Sequence, residues 1–340
     1  MRKGLLSAGI VLLCACSTIW TELRAAEVAD RLLATPSYRA RYVERGLLSD
    51  RPTVAVEREI IFQRPWKLRV QTLAPKDRAG DLYLYDGDTA IYWWPAELVG
   101  IRIRGLTPLD ERAVRTHIKT IVGAALRDFA WSAVGTEQVL DYPAIHWRIL
   151  PVAQGSYYLP HDEWRLESHE FVLKMDVWDG SGKPWYGFEF TQLKFDVPIA
   201  DRDFDFEYPP NALVFDWDLR DAGITLEEAK KSMNFIVREP SRLPEGHKLH
   251  KIVKGRSQIP MLAMLMNDGA AALSLTQNRY AGGGAYVLAV GKPIKVGKAT
   301  GYANFFGTTT ALNWLLDGTE LTLVGNLPFP EMVAIAEGVH

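Results

Sequence analysis

Thiols are almost missing from this 340-residue chain: it has two cysteines, Cys14 and Cys16, both at the extreme N-terminus. That excludes a disulfide scaffold and leaves the body of the protein without a thiol nucleophile. A metal site would have to come from histidine, aspartate and glutamate. An excess of one charge is missing too, since 39 basic and 41 acidic residues leave a formal charge of −2. A nucleic-acid partner normally leaves a strongly basic stripe, so none is expected. With 48% hydrophobic and 24% charged residues, the chain is not disordered, collagen-like or a polytopic membrane protein. Its length suits about two domains of roughly 100–150 residues each.

Catalytic signatures are equally scarce. There is no Gly-x-Ser-x-Gly, and Gly180-Ser181-Gly182 reads as a hairpin turn. Gly282-Gly283-Gly284 lacks the Lys-Ser/Thr that completes a phosphate loop. His247 and His250 follow a Pro-Gly turn in a stretch that alternates like a strand, which sets them on opposite faces. His161-Asp162-Glu163 reads as a solvated turn after Pro160. Asp201, Asp203 and Asp205 alternate with Phe204 and Phe206 as the wet face of a strand, with no glycine or distal glutamate to complete a calcium loop. No enzyme, metal or cofactor is expected.

Residues 1–26 read as an export signal: Arg2 and Lys3, an apolar run from Leu5 to about Trp20, then small residues. The run is short of the roughly 20 apolar residues of a membrane span. Leu13-Cys14-Ala15-Cys16 resembles a lipobox, which would make Cys16 a lipidated first residue and anchor the chain to a membrane of the cell envelope. The alternative is cleavage after Leu23-Arg24-Ala25, leaving a soluble periplasmic or secreted protein.

Beyond the signal, residues 27–34 form a short helical pattern and Asp110–Phe129 the one long one. Strand patterns cover Tyr38–Leu47, Thr53–Phe62, Trp66–Leu73, Asp81–Tyr85, Thr89–Trp94, Ala144–Leu150, Glu163–Leu166, Phe171–Trp178 and Tyr186–Phe195. Asp86-Gly87-Asp88 is a hairpin turn. Leu82–Tyr85 and Ile91–Trp94 are apolar on both faces, whereas a strand with one wetted face alternates. Such strands suggest a sheet covered by helices on one side and lining a cavity or packed layer on the other, or else a tightly packed sandwich core. After residue 220 the pattern changes: Thr225-Leu226-Glu227-Glu228 is a capping box opening a helix, seven strand-like runs follow (one at Ala285–Val290), and a helix closes the chain near Pro330–Glu337. Residues 27–221 carry a net −7 and residues 222–340 a net +3. Lys248, Lys251, Lys254 and Arg256 could form a basic face for an acidic partner.

The order of motifs resembles the LolA/LolB lipoprotein-carrier superfamily. Phe62-Gln63-Arg64-Pro65-Trp66-Lys67-Leu68-Arg69-Val70 is followed by Asp86-Gly87 before an aromatic strand, then Val177-Trp178-Asp179-Gly180-Ser181-Gly182-Lys183, then Phe204-Asp205-Phe206-Glu207-Tyr208-Pro209-Pro210. A following second domain is similar to the RseB/MucB regulators. Residues 224–337 also resemble the C-terminal module of carrier-like, sporulation-type lipoproteins of Gram-positive bacteria.

The resemblance implies an α+β, mainly antiparallel fold: an incomplete, half-open β-barrel with a helical lid over residues 27–217, plus a smaller α+β domain over 222–340. It implies a non-enzymatic protein of the cell envelope that holds an acyl chain, or the lipid of a lipoprotein, in an apolar concavity. Phe62, Trp66, Leu68, Val70, Tyr85, Ile91, Trp93, Phe188 and Phe190 would line it, and Arg64 would latch the lid with its fork of donors. The alternative is a regulator of the RseB type, binding a membrane anti-sigma factor or another protein through its C-terminal domain.

Overall fold

The computed structural model describes residues 24, 26–46, 55–64, 67–106, 111–152, 159–166, 168, 170–178, 182–257, 260–267, 272–279, 292–306, 309–325 and 327–340. In chain order the first elements are helix α1 (residues 26–33) and strands β1 (Tyr38–Gly46), β2 (Val56–Gln63), β3 (Lys67–Ala74), β4 (Leu82–Tyr85), β5 (Ala90–Trp94) and β6 (Val99–Arg104). Helix α2 (Glu111–Asp128) runs directly into β7 (Phe129–Val139), followed by β8 (Tyr142–Pro151), β9 (His161–Leu166), β10 (Phe171–Trp178), β11 (Pro184–Phe195) and β12 (Leu213–Asp218). The remainder is α3 (Leu226–Ser232), β13 (Lys248–Lys254), β14 (Met261–Asn267), β15 (Ala272–Arg279), β16 (Lys292–Val296), β17 (Ala299–Phe306), β18 (Thr309–Leu316), β19 (Thr319–Gly325) and α4 (Phe329–Glu337). The fold is mainly antiparallel β with few helices.

The chain divides into two compact units. The first takes in the described residues of Met1–Gly46, Ala55–Arg64 and Pro108–Ile199; the second takes in those of Leu47–Val54, Pro65–Thr107 and Ala200–His340. In the first unit the strands lie in the order β2-β1-β11-β10-β9-β8-β7, every pairing antiparallel, as an open sheet. Its core is largely aromatic. Tyr38, Trp164, Leu173 and Phe190 are buried, with Tyr42, Phe62, Phe171, Phe188 and Phe195 packed against them. The sheet curls around this face. Tyr142 on β8 reaches Phe195 on β11, three strands away, with ring centroids 5.8 Å apart; on a flat sheet those backbones would stand about 14 Å apart.

In the second unit β3–β6 form a meander, and β12 adds to β6 in parallel. The β4–β5 turn follows its sequence: Asp86 Oδ1 accepts the amides of Asp88 and Thr89 at 2.9 and 2.8 Å, and Gly87 has φ +104°. A separate seven-stranded sheet runs β13-β14-β15-β19-β18-β17-β16. Its core packs Met264, Leu275, Leu312, Trp314, Leu321 and Leu323 against Ala229 of α3 and Met332, Ile335 and Ala336 of α4. Thr225 and Glu228 cap α3 reciprocally, as their spacing implies.

Three strands, β6, β7 and β12, were not anticipated, and Lys295–Asn304, one of the seven strand-like runs, is two strands, β16 and β17, joined by a turn at Gly297–Lys298. β7 follows α2 with no turn between them, β6 opens after the Pro95–Leu98 turn, in which Leu98 has φ +56°, and β12 depends on a parallel partner more than 100 residues away. The segment read as a strand with three wet aspartates is instead a 3-10 turn, Asp201–Phe204, followed by extended chain. Asp203 turns back to accept the Ala200 amide at 2.9 Å and Asp201 pairs with Lys67 Nζ at 2.6 Å, so these carboxylates bind locally rather than alternate on a strand. His161, Asp162 and Glu163 lie within β9, with both acids buried, rather than in a solvated turn. Cys16, Trp66, Gly282–Gly284 and the run Ala285–Val290 lie outside the described residues.

Candidate functional site

Two aromatic sheet faces, one in each unit, carry the residues singled out from the sequence. In the first unit Phe62, Phe188 and Phe190 come together with Tyr38, Tyr42, Phe171 and Phe195. Cross-strand register puts Tyr38 opposite both Phe62 and Phe195, and Tyr42 opposite Phe190. Ring centroids follow at 5.3 Å for Tyr38–Phe62, 5.5 Å for Tyr42–Phe190 and 5.1 Å for Phe171–Phe190. Such tilted and edge-on contacts add to the area they bury. Burial pushes the Tyr38 and Tyr42 hydroxyls well above the usual phenol range, with Glu44 adding to the effect at Tyr42. Arg58 Nη2 pairs with Glu44 at 3.0 Å.

In the second unit the predicted residues separate onto opposite faces of the meander. Leu68 pairs with Tyr85, Val70 with Tyr83, and Tyr83 with Tyr92, so these share one face with Trp94 and Ile101. All are half-buried. Tyr83 and Tyr92 lie 4.8 Å apart and Tyr92 stacks on Trp94 at 6.2 Å, a continuous aromatic strip. Burial raises both tyrosine hydroxyls above their ordinary range, with Tyr92 adding to the shift at Tyr83.

Ile91 and Trp93 point the other way, with Leu82 and Leu84, and are buried to 6% exposure or less. That face is sealed by the chain itself. Phe206 and Tyr208 pack on Trp93 at 6.1 and 5.6 Å, and Tyr208 donates to Ile101 O at 2.7 Å. Lys67 lies 5.5 Å over Phe204, and Arg69 donates to Asp203 O at 3.1 Å. Residues 201–208 thus act as a strap whose aromatic side chains fill one side of the meander. The strap occupies Gly100, where a Cβ would fall 2.8 Å from Tyr208 Cδ1 and 2.9 Å from Cζ.

Arg64 is exposed, and its backbone amide donates to Ser37 Oγ at 3.0 Å. A different set of charges holds α1. Glu170, buried in the turn between β9 and β10, faces Arg24 at 3.2 Å, Arg31 at 3.6 Å and Arg165 at 3.5 Å. Arg165 also pairs with Glu163 at 2.5 Å, and His161 lies 3.4 Å from Glu163. Burial opposes ionisation of Glu163, yet Arg165 and His161 hold its carboxyl down to about 2. His161 moves up: burial works against its charge, but the Glu163 carboxylate outweighs it.

A second polar group surrounds Trp164, whose indole N–H donates to Glu137 at 2.9 Å. His146 stacks on that indole at 4.2 Å, with Nδ1 2.8 Å from Glu137 and Nε2 3.0 Å from Asp162, which Arg148 clamps with two hydrogen bonds. Every carboxylate in these two groups has a cationic or N–H partner, the arrangement of fixed structural networks rather than of a poised base. Among the described residues no set of histidine, aspartate or glutamate is placed to hold a metal, and no helix is long and apolar enough to cross a membrane.

The aromatic partners Tyr83, Tyr92 and Trp94 were legible in principle, because a turn at Asp86-Gly87-Asp88 sets Tyr83 opposite Tyr92. Glu170 carried no signal, since two of its partners, Arg24 and Arg31, are distant in sequence.

Compared with known proteins, the chain matches no family model and no curated protein. Among solved structures it is similar to the MucA/MucB complex of Pseudomonas aeruginosa, with 16% identity over 93% of this chain and 98% of that one and a TM-score of 0.48. It is similar to a LolA superfamily protein of Nitrosomonas europaea, with 13% identity over 55% and 98% and a TM-score of 0.27. It is also similar to the Mycobacterium tuberculosis lipoprotein LppX, with 14% identity over 54% and 96% and a TM-score of 0.33.

Proposed function

We propose that the chain is an extracytoplasmic, non-enzymatic binding protein whose ligand is an acyl chain, free or part of a lipid or lipoprotein. The observation that carries this reading is the two-faced meander of the second unit. Its strap seals one apolar face, while the strip of Leu68, Val70, Tyr83, Tyr85, Tyr92 and Trp94 stays half-buried. Covering such a strip removes apolar surface from water at about 25 cal/mol per Å², or about 0.8 kcal/mol per methylene. Ten methylenes laid along it would contribute about 8 kcal/mol before the cost of ordering the chain. No cofactor is needed for that.

The test is native mass spectrometry of the protein titrated with a long-chain fatty acid and with a diacyl phospholipid. Retained lipid should fall at least tenfold in Leu68→Gln and Tyr92→Gln, both on the half-buried strip, and stay unchanged in Leu315→Gln, an exposed site on β18. Equal retention by all four proteins would overturn the reading.

A further inference from the structure

The outermost strand of the first unit has properties that lipid binding does not use. β7 is 11 residues long, pairs with β8 on one side, and has no described strand on the other. Ser132 through Gln138 are all exposed. Natural edge strands are kept short or guarded by lysine, proline, a β-bulge or inward charge. β7 carries no lysine, arginine or proline, and its single charge, Glu137, is already engaged by His146 and Trp164. Its one irregularity is a bulge at Val134, between Ala133 and Gly135.

Exposed apolar side chains concentrate on the same hairpin. Val134 is 52% exposed, Leu140 36%, Leu150 43% and Val152 64%. Their placement matters: Leu150 pairs with Ala130, and the Val152 amide donates to Asp128 O, so both lie at the foot of β7. Leu140 lies at its tip, and Val134 midway.

We propose that β7 is a self-association edge, pairing antiparallel with β7 of a second copy of this chain about a two-fold axis at Val134. An antiparallel pair of identical strands is self-complementary, which is what an isologous two-fold interface requires. In this register the exposed foot of one copy, Leu150 and Val152, lies beside the exposed tip of the other, Leu140, and the axis repeats the contact. Glu137 of one copy comes opposite Trp131 of the other, so no like charges face each other along the paired strands. Eleven residues span about 37 Å. With a width of about 10 Å the strip covers on the order of 400 Å² per copy, about half the usual 800 Å² per partner of a stable interface. The dimer is therefore concentration-dependent rather than obligate.

Sedimentation velocity of the purified chain from about 1 μM to about 300 μM tests this. The expected result is a shift from monomer to dimer across that range, abolished by Val134→Lys and by Thr136→Lys, which put a charge on the open edge, and unchanged in Ile236→Lys, an exposed apolar site elsewhere. With Cys14 and Cys16 replaced by serine, Val134→Cys should form a disulfide-linked dimer under mild oxidation, and Lys183→Cys should not. A monomer at every concentration, or a dimer that both lysine variants leave intact, would overturn the proposal.

Discussion

Replacing Gly100 with alanine should unseat the strap, and the geometry sets the size of the effect. The new Cβ would collide with the Tyr208 ring, since Cδ1 and Cζ lie 2.8 and 2.9 Å away and the remaining close atom is nearer still. Tyr208 would have to leave. It would take with it the hydrogen bond to Ile101 O at 2.7 Å, the longer one to Tyr92 O at 3.3 Å, and the ring contacts to Trp93 and Phe206. Two hydrogen bonds are worth about 2 kcal/mol together, and each aromatic contact about 0.5–1.5 kcal/mol beyond its area. Gly100→Ala should therefore cost about 3–5 kcal/mol in equilibrium urea denaturation. Tyr208→Ala removes the obstacle, so Gly100→Ala in that background should cost less than about 0.5 kcal/mol. The double mutant would then miss the sum of the singles by about 3 kcal/mol, the mark of two groups competing for one space. Additivity within 0.5 kcal/mol would refute the strap as the cover of that face.

The remaining predictions concern the polar networks. The folded pKa of Glu163, about 2, lies below its ordinary 4.5; the stabilisation it supplies is complete above about pH 4.5 and lost as the pH falls towards 2. Glu163→Gln should flatten that acid limb in a plot of urea midpoint against pH. His161 has the opposite sign. Its pKa is raised above 6.5, so its contribution is complete below that pH and is lost as the pH rises through the folded value; His161→Gln should remove that slope. Glu170→Gln should release α1, which Glu170 holds through Arg31 and the preceding Arg24, at a cost of about 2 kcal/mol, the half-buried arginines discounting a fully buried pair, and should speed amide hydrogen exchange over residues 26–33. In the second unit Gln277 accepts the Arg238 amide and donates to its carbonyl, both at 2.7 Å. Gln277→Leu would leave both backbone groups unpaired and should lower stability by about 2–3 kcal/mol in thermal or urea melts.

Local chemistry made much of this fold legible. The Asp86-Gly87-Asp88 turn, the Thr225–Glu228 capping box and the apolar face of the long helix each name their element from a few neighbouring residues. The doubly apolar strands Leu82–Tyr85 and Ile91–Trp94 were read as a sheet covered by helices on one side, and the cover is instead the strap of residues 201–208. What covers them was not legible. Phe206 and Tyr208 reach Trp93 from more than 100 residues away, and the alternation of this segment with acids is equally compatible with a strand. For the same reason Trp93 and Ile91 were grouped with Leu68, Val70 and Tyr85, although alternation along β5 and register with β4 place them on the opposite face. β7 gave no signal because its polar and apolar residues follow neither period. An edge exposed on both faces need not alternate.

The central claim is that an acyl chain lies along the half-buried strip of the meander and not beneath the strap. Quenching by fatty acids brominated midway along the chain tests it most directly, because bromine quenches only tryptophans it touches. Trp94 lies on the strip and Trp93 under the strap. The account predicts saturable quenching, unchanged in Trp93→Phe and reduced in Trp94→Phe by the share of Trp94. Quenching lost with Trp93 and kept without Trp94 would contradict it, as would no saturable quenching at all.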